Sequence, residues 1–290
     1  MVKEKPLIVI CGQTASGKTS LAIELAEAYG GEIICADSRT IYKGMDIGTA
    51  KPTIEERKKV PHWGLDLVTP GEYFTVVDFK KYAEKKIKEI RSRGKVPFLV
   101  GGTGLYIDSI LFDYRFGKEL DVAKRTSLNL MSLDELHNLC KQNDIQLPEN
   151  SHNKRYVVRE IEKSGETVSK NSTPIKNTII VGITTDKEVL LDRIDKRIEN
   201  MINNGVIAEA NGLGDKFGWD NEALKSNVYK IVKLYNTGQI GFEDIKRHNA
   251  VLDWRLAKRQ LTWLKRNMFI KWFDYNNARS YLFSLLAKLV

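Results

Sequence analysis

A phosphate-loop pattern, G-x-x-x-x-G-K-[ST], constrains the fold of this chain more than any other feature. Its eight residues are Gly12, Gln13, Thr14, Ala15, Ser16, Gly17, Lys18 and Thr19. The loop follows the apolar run Leu7 to Cys11, which is typical of a buried strand, and it opens a helical pattern that ends at Gly30. In this context successive backbone N–H groups face one anion at a helix N-terminus. We therefore expect the loop to bind a phosphate-bearing small molecule, with Lys18 as a cation and Thr19 as a ligand of an Mg²⁺ cofactor.

Further strand and helix patterns alternate along the chain. Glu32 to Ala36, Val96 to Val100 and Thr178 to Ile183 predict buried strands, and apolar residues at helical spacing predict a helix from Phe74 to Arg93. Strand–loop–helix units in series favour a parallel sheet covered by helices. The predicted fold class is therefore α/β: a P-loop NTPase-like parallel sheet flanked by helices, with a helical inserted subdomain and a helical C-terminal region.

The domain organisation follows from two changes of character in the chain of 290 residues. Residues 114–176 are polar with a helical pattern, which predicts an inserted helical subdomain. The predicted core comprises residues 1–113 and 177–290. After a helix from about Lys187 to Asn204, the remainder is expected to be mainly helical.

Composition narrows the class of protein. The net charge of +9 suggests a polyanionic partner without proving one. The three cysteines fit neither a disulfide framework nor a zinc-site spacing, so buried free thiols are expected. We find no secretory signal and no membrane-spanning pattern, which predicts a cytoplasmic protein that does not bind membranes. Nothing in the sequence demands a dimer, so we expect a monomer.

Two polar side chains follow predicted strands on the ligand side of the sheet. Asp37 follows the strand that ends at Ala36 and could accept a proton or support Mg²⁺ through water; an ordinary turn aspartate is the alternative. Thr103 follows the strand that ends at Val100 and could orient a substrate group, or it could cap the next helix. No aspartate directly follows this strand, which counts against an ordinary NTPase.

Five segments resemble the tRNA dimethylallyltransferases, which are isopentenyl transferases acting on tRNA. The diagnostic one is DSRTIYKGMDIGTAKP at 37–52, and the others are GQTASGKT at 12–19, PHWGLDL at 61–67, LVGGTGLY at 99–106 and RLAKRQLTWLKR at 255–266. They occur in the family's order and span nearly the whole chain. Ordinary P-loop kinases lack the segments at 37–52 and 61–67.

The resemblance implies an activity. The family transfers a dimethylallyl group from its diphosphate to N6 of the adenosine beside the anticodon, in tRNAs that read codons beginning with U. By this resemblance the loop holds the diphosphate leaving group, with Lys18, Thr19 and Mg²⁺ stabilising its charge. Asp37 matches the family's general base, and Thr103 matches a threonine that hydrogen-bonds near the adenine amine. The adenine would have to flip out of its stack to reach them.

A helix carries two arginines four residues apart, Arg193 and Arg197, on one face. Arg197 matches the family arginine associated with the diphosphate. For Arg193 an ordinary surface salt bridge with Asp192 or Glu199 is equally consistent with the sequence.

The expected partner is the anticodon stem-loop of a tRNA. Residues 241–272 carry eight basic and three acidic residues, interleaved with three tryptophans. This pattern suits contact with a phosphate backbone, although a solvated face over a tryptophan-anchored core fits it too. The resemblance assigns tRNA contacts to Asp37, Ser38, Arg39, Thr40, Thr103, Lys154, Arg155, Arg159, Arg255, Lys258 and Arg259. It also identifies the insertion as the anticodon-arm-binding part of the family.

Three departures from the family pattern lie on the RNA side. Tyr156 stands where a third arginine is expected, the segment Ser226 to Ile231 lacks the family's glycine, and the insertion is short. They leave room for a paralogue with altered tRNA preference. With the basic face, they also leave a non-catalytic tRNA-binding protein as an alternative. A prenyltransferase for free adenine nucleotides, built on the same core, is a second alternative. A generic nucleotide kinase ranks lowest.

Overall fold

The structure is a computed structural model that describes residues 4–117, 121–163 and 168–289. The chain forms two compact units, one of Met1–Leu111 with Thr173–Val290 and one of Phe112–Ser172. The insertion predicted at 114–176 corresponds to the second unit, and its residues 118–120 and 164–167 lie outside the described residues.

The first unit is built on one six-stranded parallel sheet with the order β3-β2-β4-β1-β5-β6. Its strands are β1 (Leu7–Gly12), β2 (Gly31–Ala36), β3 (His62–Trp63), β4 (Val96–Gly101), β5 (Thr178–Ile183) and β6 (Lys271–Phe273). Strands β1, β2 and β4 are buried along their whole length, because helices cover both faces of a parallel sheet. This explains their continuous apolar sequence and confirms the predicted P-loop NTPase-like fold class.

Helices surround this sheet. They are α1 (Lys18–Ala28), α2 (Ile54–Lys59), α3 (Val76–Ser92), α4 (Gly104–Leu111), α8 (Lys187–Asn203), α9 (Val206–Phe217), α10 (Asn227–Asn236), α11 (Asp244–Leu264) and α12 (Tyr275–Leu289). Helix α3 buries Phe79, Ala83, Ile87 and Ile90, which are the apolar positions of the predicted helix. Helix α11 packs on both α8 and α10.

The two short edge strands, β3 and β6, were not predicted from the sequence. They contain two and three residues, too few for an alternating or apolar pattern to stand out. Both pair with a neighbour that is distant in sequence, β3 with β2 and β6 with β5. Strand β6 interrupts the C-terminal part of the chain that was expected to be mainly helical.

The second unit contains α5 (Val122–Leu130), α6 (Leu133–Gln142) and α7 (Lys154–Lys163). Its small core includes Leu128, Leu136, Cys140, Val157 and Ile161.

All three cysteines of the chain are buried free thiols, as expected. Among the described residues, no helix combines the length and the apolar character needed to cross a membrane.

Candidate active site

Three neighbouring strands deliver the predicted site residues to one edge of the sheet. Gly101 of β4 is in register with Cys11 of β1 on one side and with Ala36 of β2 on the other. The phosphate loop continues from β1, Asp37 follows β2, and the segment Gly102-Thr103 follows β4. Because the strands are parallel, their carboxyl ends meet in one crevice. The sheet order β2-β4-β1 therefore brings together features that are far apart in the sequence.

The ends of β2 and β4 are also tied by hydrogen bonds. The backbone N–H of Thr103 donates to the carbonyl of Ala36 at 3.2 Å, and the N–H of Ser38 donates to Thr103 Oγ1 at 3.1 Å. Gly101 permits this approach, because a Cβ there would lie 2.0 Å from the Ala36 carbonyl oxygen. The Thr103 hydroxyl thus links the end of β4 to the end of β2.

The phosphate loop has the curled backbone that the pattern predicts. Ala15 and Gly17 have φ angles of 61° and 90°, and α1 begins directly afterwards at Lys18. Ser16 is fully buried, and its hydroxyl has no hydrogen-bond partner among the described residues. A buried hydroxyl at the start of a helix can donate to an anion.

Lys18 lies in the same loop, with its ammonium donating to the carbonyl of Gln13 at 3.0 Å. Burial lowers the pKa of Lys18 to about 8, opposed by the nearby negative charge of Asp37 and assisted by the positive charge of Arg197. These groups are therefore electrostatically coupled across the crevice. A bound anion would favour the charged ammonium.

Helix α8 contacts the phosphate loop through two arginine side chains. Arg197 Nη1 donates to the hydroxyl of Thr14, and Arg193 Nη1 donates to the carbonyl of Ala15 at 3.4 Å. Arg197 Nε is buried without a hydrogen-bond partner among the described residues, and Arg197 lines the cavity. Within the part of the chain that the structure describes, Asp192 pairs with Lys196 and Glu199 pairs with Lys246, whereas Arg193 contacts the phosphate loop.

Gln260 on α11 is a site residue that the sequence analysis missed. Its Oε1 accepts a hydrogen bond from the backbone N–H of Thr14 at 2.7 Å. Gln13 makes a second link to the same helix, donating from Nε2 to the carbonyl of Ala257 at 3.3 Å. Gln260 lies within RLAKRQLTWLKR, but nothing in that string indicates which residue faces the loop.

A cavity of about 400 Å³ joins these groups. Among the predicted residues, its lining includes Thr14, Lys18, Thr19, Asp37, Ser38, Arg39, Thr40, Thr103, Arg197 and Arg259. Gln13 and Ser16 are buried beside it in the loop. Arg255 and Lys258 lie instead on the exposed face of α11, and Lys154, Arg155 and Arg159 belong to α7 of the second unit. Lys154 donates to the carbonyl of Asn129 at 2.6 Å, whereas Arg155 and Arg159 are exposed.

Asp37 is half-buried and makes the turn interaction that was the alternative offered for it. Its Oδ1 accepts a hydrogen bond from the backbone N–H of Arg39 at 2.8 Å, which is the turn interaction of an aspartate. The same side chain lines the cavity opposite the phosphate loop. The turn holds the carboxylate in a fixed orientation, and this is a useful property for a proton acceptor.

The basic face of α11 is anchored by half-buried tryptophans. Trp263 Nε1 donates to Asp108 at 2.7 Å, and the Arg266 guanidinium lies over the Trp263 ring at 5.5 Å. Lys258 lies over the Trp254 ring at 5.5 Å. The tryptophans thus anchor the helix while the cations stay exposed, so the two interpretations of this segment are compatible. Contact of these cations with tRNA remains a prediction.

The oxygen-bearing side chains of Thr19 and Asp37 suit a magnesium ion whose remaining ligands come mainly from the substrate. Thr19 and Asp37, which carry a hydroxyl and a carboxylate, both line the cavity. Among the described residues, no group of three histidine, cysteine, aspartate or glutamate side chains could hold a metal. Mg²⁺ commonly takes one or two protein oxygens and completes its shell with phosphate oxygens and water.

The cavity wall also carries a polar cluster that the sequence analysis missed, formed by Asn227, Asn249 and Asp253. Asn227 Nδ2 and Asn249 Nδ2 donate to the two carboxylate oxygens of Asp253, at 2.6 Å and 3.2 Å. The signal in the sequence was indirect: Asn227 lies in the segment Ser226 to Ile231 that departs from the family pattern.

Comparison with known proteins agrees with this architecture. The IPP transferase family model matches residues 40–267, and the isopentenyl transferase model matches residues 5–68. A tRNA dimethylallyltransferase of Bacillus cereus is 38% identical over 96% of this chain and 92% of its own length. The corresponding protein of Bacillus pumilus is also 38% identical, over 98% of this chain and 96% of its own.

Solved structures give the same result. The tRNA isopentenylpyrophosphate transferase of Bacillus halodurans matches with a TM-score of 0.75 and 35% identity, covering 99% of this chain and 96% of that one. A eukaryotic dimethylallyltransferase acting on tRNA matches with a TM-score of 0.77 and 25% identity, covering 93% of this chain and 74% of that one. The chain is a member of the IPP transferase family, to which tRNA dimethylallyltransferases belong.

Proposed function

We propose that this protein transfers a dimethylallyl group from dimethylallyl diphosphate to N6 of the adenosine adjacent to the anticodon, in tRNAs that read codons beginning with U. The observation that carries the proposal is the meeting of Asp37 and Thr103 with Lys18 and Arg197 in one cavity. Cationic groups that could bind a diphosphate and a carboxylate that could accept a proton line the same cavity, as a prenyl transfer to an amine requires.

The reaction balances with these groups. The N6 lone pair forms a bond to C1 of the dimethylallyl group, while the C1–O bond breaks and diphosphate leaves with the electron pair. Asp37 accepts the proton that the amine loses. Lys18, Arg197 and the loop N–H groups stabilise the charge on the departing diphosphate. Thr103 holds the Asp37 segment through the Ser38 N–H.

Thr19 is the residue that would hold Mg²⁺ beside the diphosphate. The ion supplies additional neutralisation of the leaving group when it is bound. Binding of the donor and the adenine together would displace water from C1, which would protect the allylic diphosphate from hydrolysis. The adenine must flip out of its stack to reach a point between Asp37 and Thr103.

The RNA partner is proposed from charge and from the family. Arg255, Lys258 and Arg259 on α11 would contact the phosphate backbone, and Ser38, Arg39 and Thr40 would contact the flipped nucleotide. Lys154, Arg155 and Arg159 on α7 would contact the anticodon arm, with Tyr156 in the place of one further arginine. We further propose that the protein acts as a monomer in the cytoplasm.

The test is transfer of labelled dimethylallyl from its diphosphate in the presence of Mg²⁺, with unmodified tRNA and AMP supplied in competition. We expect label on tRNA and none on AMP. Label on AMP alone would instead support the prenyltransferase for free nucleotides. Absence of label from both acceptors would leave only a non-catalytic tRNA-binding role.

A further inference from the structure

Gln260 lies where the phosphate loop and the end of β4 come together. Its Oε1 accepts the backbone N–H of Thr14 at 2.7 Å. Its Nε2 lies against the other segment, because a Cβ added to Gly102 would be 2.3 Å from this nitrogen and 3.1 Å from the carbonyl oxygen of Gly12. One amide therefore contacts both the loop proposed to hold the diphosphate and the strand end that precedes Thr103.

The hydrogen bond to Thr14 fixes which way the Gln260 amide points. A backbone N–H can only donate, so the amide oxygen faces Thr14 and Nε2 faces away from it. Nε2 has no hydrogen-bond partner in the described parts of the chain. Gln260 is only partly buried, and Nε2 is not among the fully buried atoms that lack a partner, so it stays accessible. A residue that lines the cavity thus carries two N–H donors that no protein group uses.

Neighbouring contacts hold this turn of α11 against the phosphate loop. Gln13 Nε2 donates to the carbonyl of Ala257 at 3.3 Å, one turn before Gln260. Thr14 is bound from two sides, since Gln260 accepts its N–H and Arg197 donates to its hydroxyl. The amide is therefore placed before any substrate binds, and a donor that needs no rearrangement is effective at stabilising charge that develops during a reaction.

We propose that Gln260 Nε2 donates a hydrogen bond to the departing diphosphate, at its end next to C1 of the dimethylallyl group. This inference rests on the proposed function and adds a neutral donor to the charged groups named there. The loop would hold the diphosphate, and the adenine amine would lie beside Asp37 and Thr103. The breaking C1–O bond then lies between the loop and the strand ends, and Gln260 contacts both.

The transfer itself balances as before. The N6–C1 bond forms, the electron pair of the C1–O bond stays on the leaving oxygen, and the proton of the amine goes to Asp37. Gln260 keeps its hydrogens and only hydrogen-bonds to the phosphate. Negative charge on the leaving group is greater in the transition state than in the bound donor, so this bond accelerates the reaction.

A ring nitrogen of the flipped adenine is the other acceptor that this amide could meet, because Gly102 precedes Thr103. The surrounding cations favour the diphosphate: Arg197 donates to the same Thr14 that Gln260 binds, and Lys18 donates to the adjacent Gln13 carbonyl. Affinities for diphosphate and for tRNA, measured separately, distinguish the two acceptors.

The experiment uses Gln260→Glu, which keeps an oxygen for the Thr14 N–H but replaces the amide donor with an oxygen. We expect kcat for transfer to tRNA to fall at least about 10²-fold, as on removal of one donor to a developing anion. The affinity for inorganic diphosphate with Mg²⁺, measured by calorimetry, should fall at least about ten-fold, with tRNA affinity changed much less. Gln239→Glu, which places the same charge on an exposed residue after α10, is the matched control and should change none of these.

Gln260→Met separates loss of the donor from the added charge. Methionine has a similar length and no charge, so kcat and diphosphate affinity should fall in this variant too. Losses confined to Gln260→Glu would assign them to charge repulsion and overturn the inference. If the glutamate variant does not fold, Gln260→Met still gives both measurements.

The remaining outcomes are equally decisive. Activity of Gln260→Glu close to that of the unsubstituted protein would mean that only the bond to Thr14 matters, which overturns the inference. Weaker tRNA binding with unaltered diphosphate affinity overturns it in favour of a contact with the adenine. If the unsubstituted protein transfers nothing to tRNA, the proposed function itself fails. Unaltered diphosphate affinity in both Gln260 variants, with transfer by the unsubstituted protein intact, contradicts this role of Gln260 alone.

Discussion

The Thr103 hydroxyl accepts a hydrogen bond from the backbone N–H of Ser38 at 3.1 Å, and this bond ties together the ends of two neighbouring strands. Asp37 precedes Ser38, so the contact fixes the position of the proposed base relative to β4. Thr103 is accordingly a positioning residue for Asp37 as well as a candidate contact of the adenine amine.

Replacing Thr103 tests this arrangement. Thr103→Val removes the acceptor of the Ser38 N–H while keeping the side-chain shape, and we expect kcat to fall by about 10²-fold because a small misplacement of catalytic groups has that effect. Thr103→Ser keeps the hydroxyl and should retain most activity. Steady-state kinetics with tRNA and dimethylallyl diphosphate measure both. Equal activity of the valine and serine variants would contradict this role.

The lowered pKa of Lys18 predicts that diphosphate binding depends on pH. Burial lowers its pKa to about 8 in the free protein, so the charged form is complete well below pH 8 and is lost as the pH rises through that value. We expect the affinity for inorganic diphosphate with Mg²⁺, measured by calorimetry, to fall above pH 8. Lys18→Arg is the control, because arginine stays charged throughout this range and should abolish the fall. An identical profile in both proteins would show that the diphosphate, not Lys18, titrates.

The Arg197 guanidinium and the Thr14 hydroxyl should act as a coupled pair. Arg197→Lys loses the planar guanidinium, and we expect KM for dimethylallyl diphosphate to rise about ten-fold, with KM for tRNA changed less. Thr14→Val removes the acceptor and should have a smaller effect. In a double-mutant cycle the two losses should be less than additive. Full additivity would mean that the bond between them contributes nothing to donor binding.

A carboxylate outside the reacting groups supports the cavity wall. Glu209 on α9 accepts hydrogen bonds from the backbone N–H groups of Asp46, Ile47 and Gly48 and from the Tyr229 hydroxyl. Glu209→Gln turns one acceptor into a donor that faces N–H groups, and we expect the free energy of unfolding to fall by about 1–3 kcal/mol. Chemical denaturation measures it, with Glu188→Gln on the exposed part of α8 as control. An unchanged free energy of unfolding would contradict a structural role for Glu209.

The sequence predicted the parts of the fold and site that depend on local patterns. Strands β1, β2, β4 and β5 are mainly apolar runs, and the loop from Gly12 to Thr19 has fixed spacing. Asp37 and Thr103 could be placed at the ligand side because parallel strand ends lie there. The resemblance to a family then assigned them roles that composition alone could not.

The parts that escaped prediction depend on contacts between distant segments. Strands β3 and β6 are too short to show a pattern of their own and form by pairing with β2 and β5, respectively. Gln260 reaches Thr14 across 246 positions of the chain, and Asn227 reaches Asp253 only when α10 packs on α11. Arg193 contacts the loop although its helix pattern allowed a surface salt bridge equally well.

The central claim is that Asp37 accepts the proton while the phosphate loop holds the leaving diphosphate. The most direct measurement is mass spectrometry of tRNA nucleosides after reaction with dimethylallyl diphosphate and Mg²⁺, using the unsubstituted protein and Asp37→Asn. We expect N6-isopentenyladenosine at the position next to the anticodon with the unsubstituted protein. With Asp37→Asn we expect at least about a 10²-fold slower reaction, since general-base catalysis contributes on that order. Unmodified tRNA with the first protein, or equal rates with both, would contradict the account.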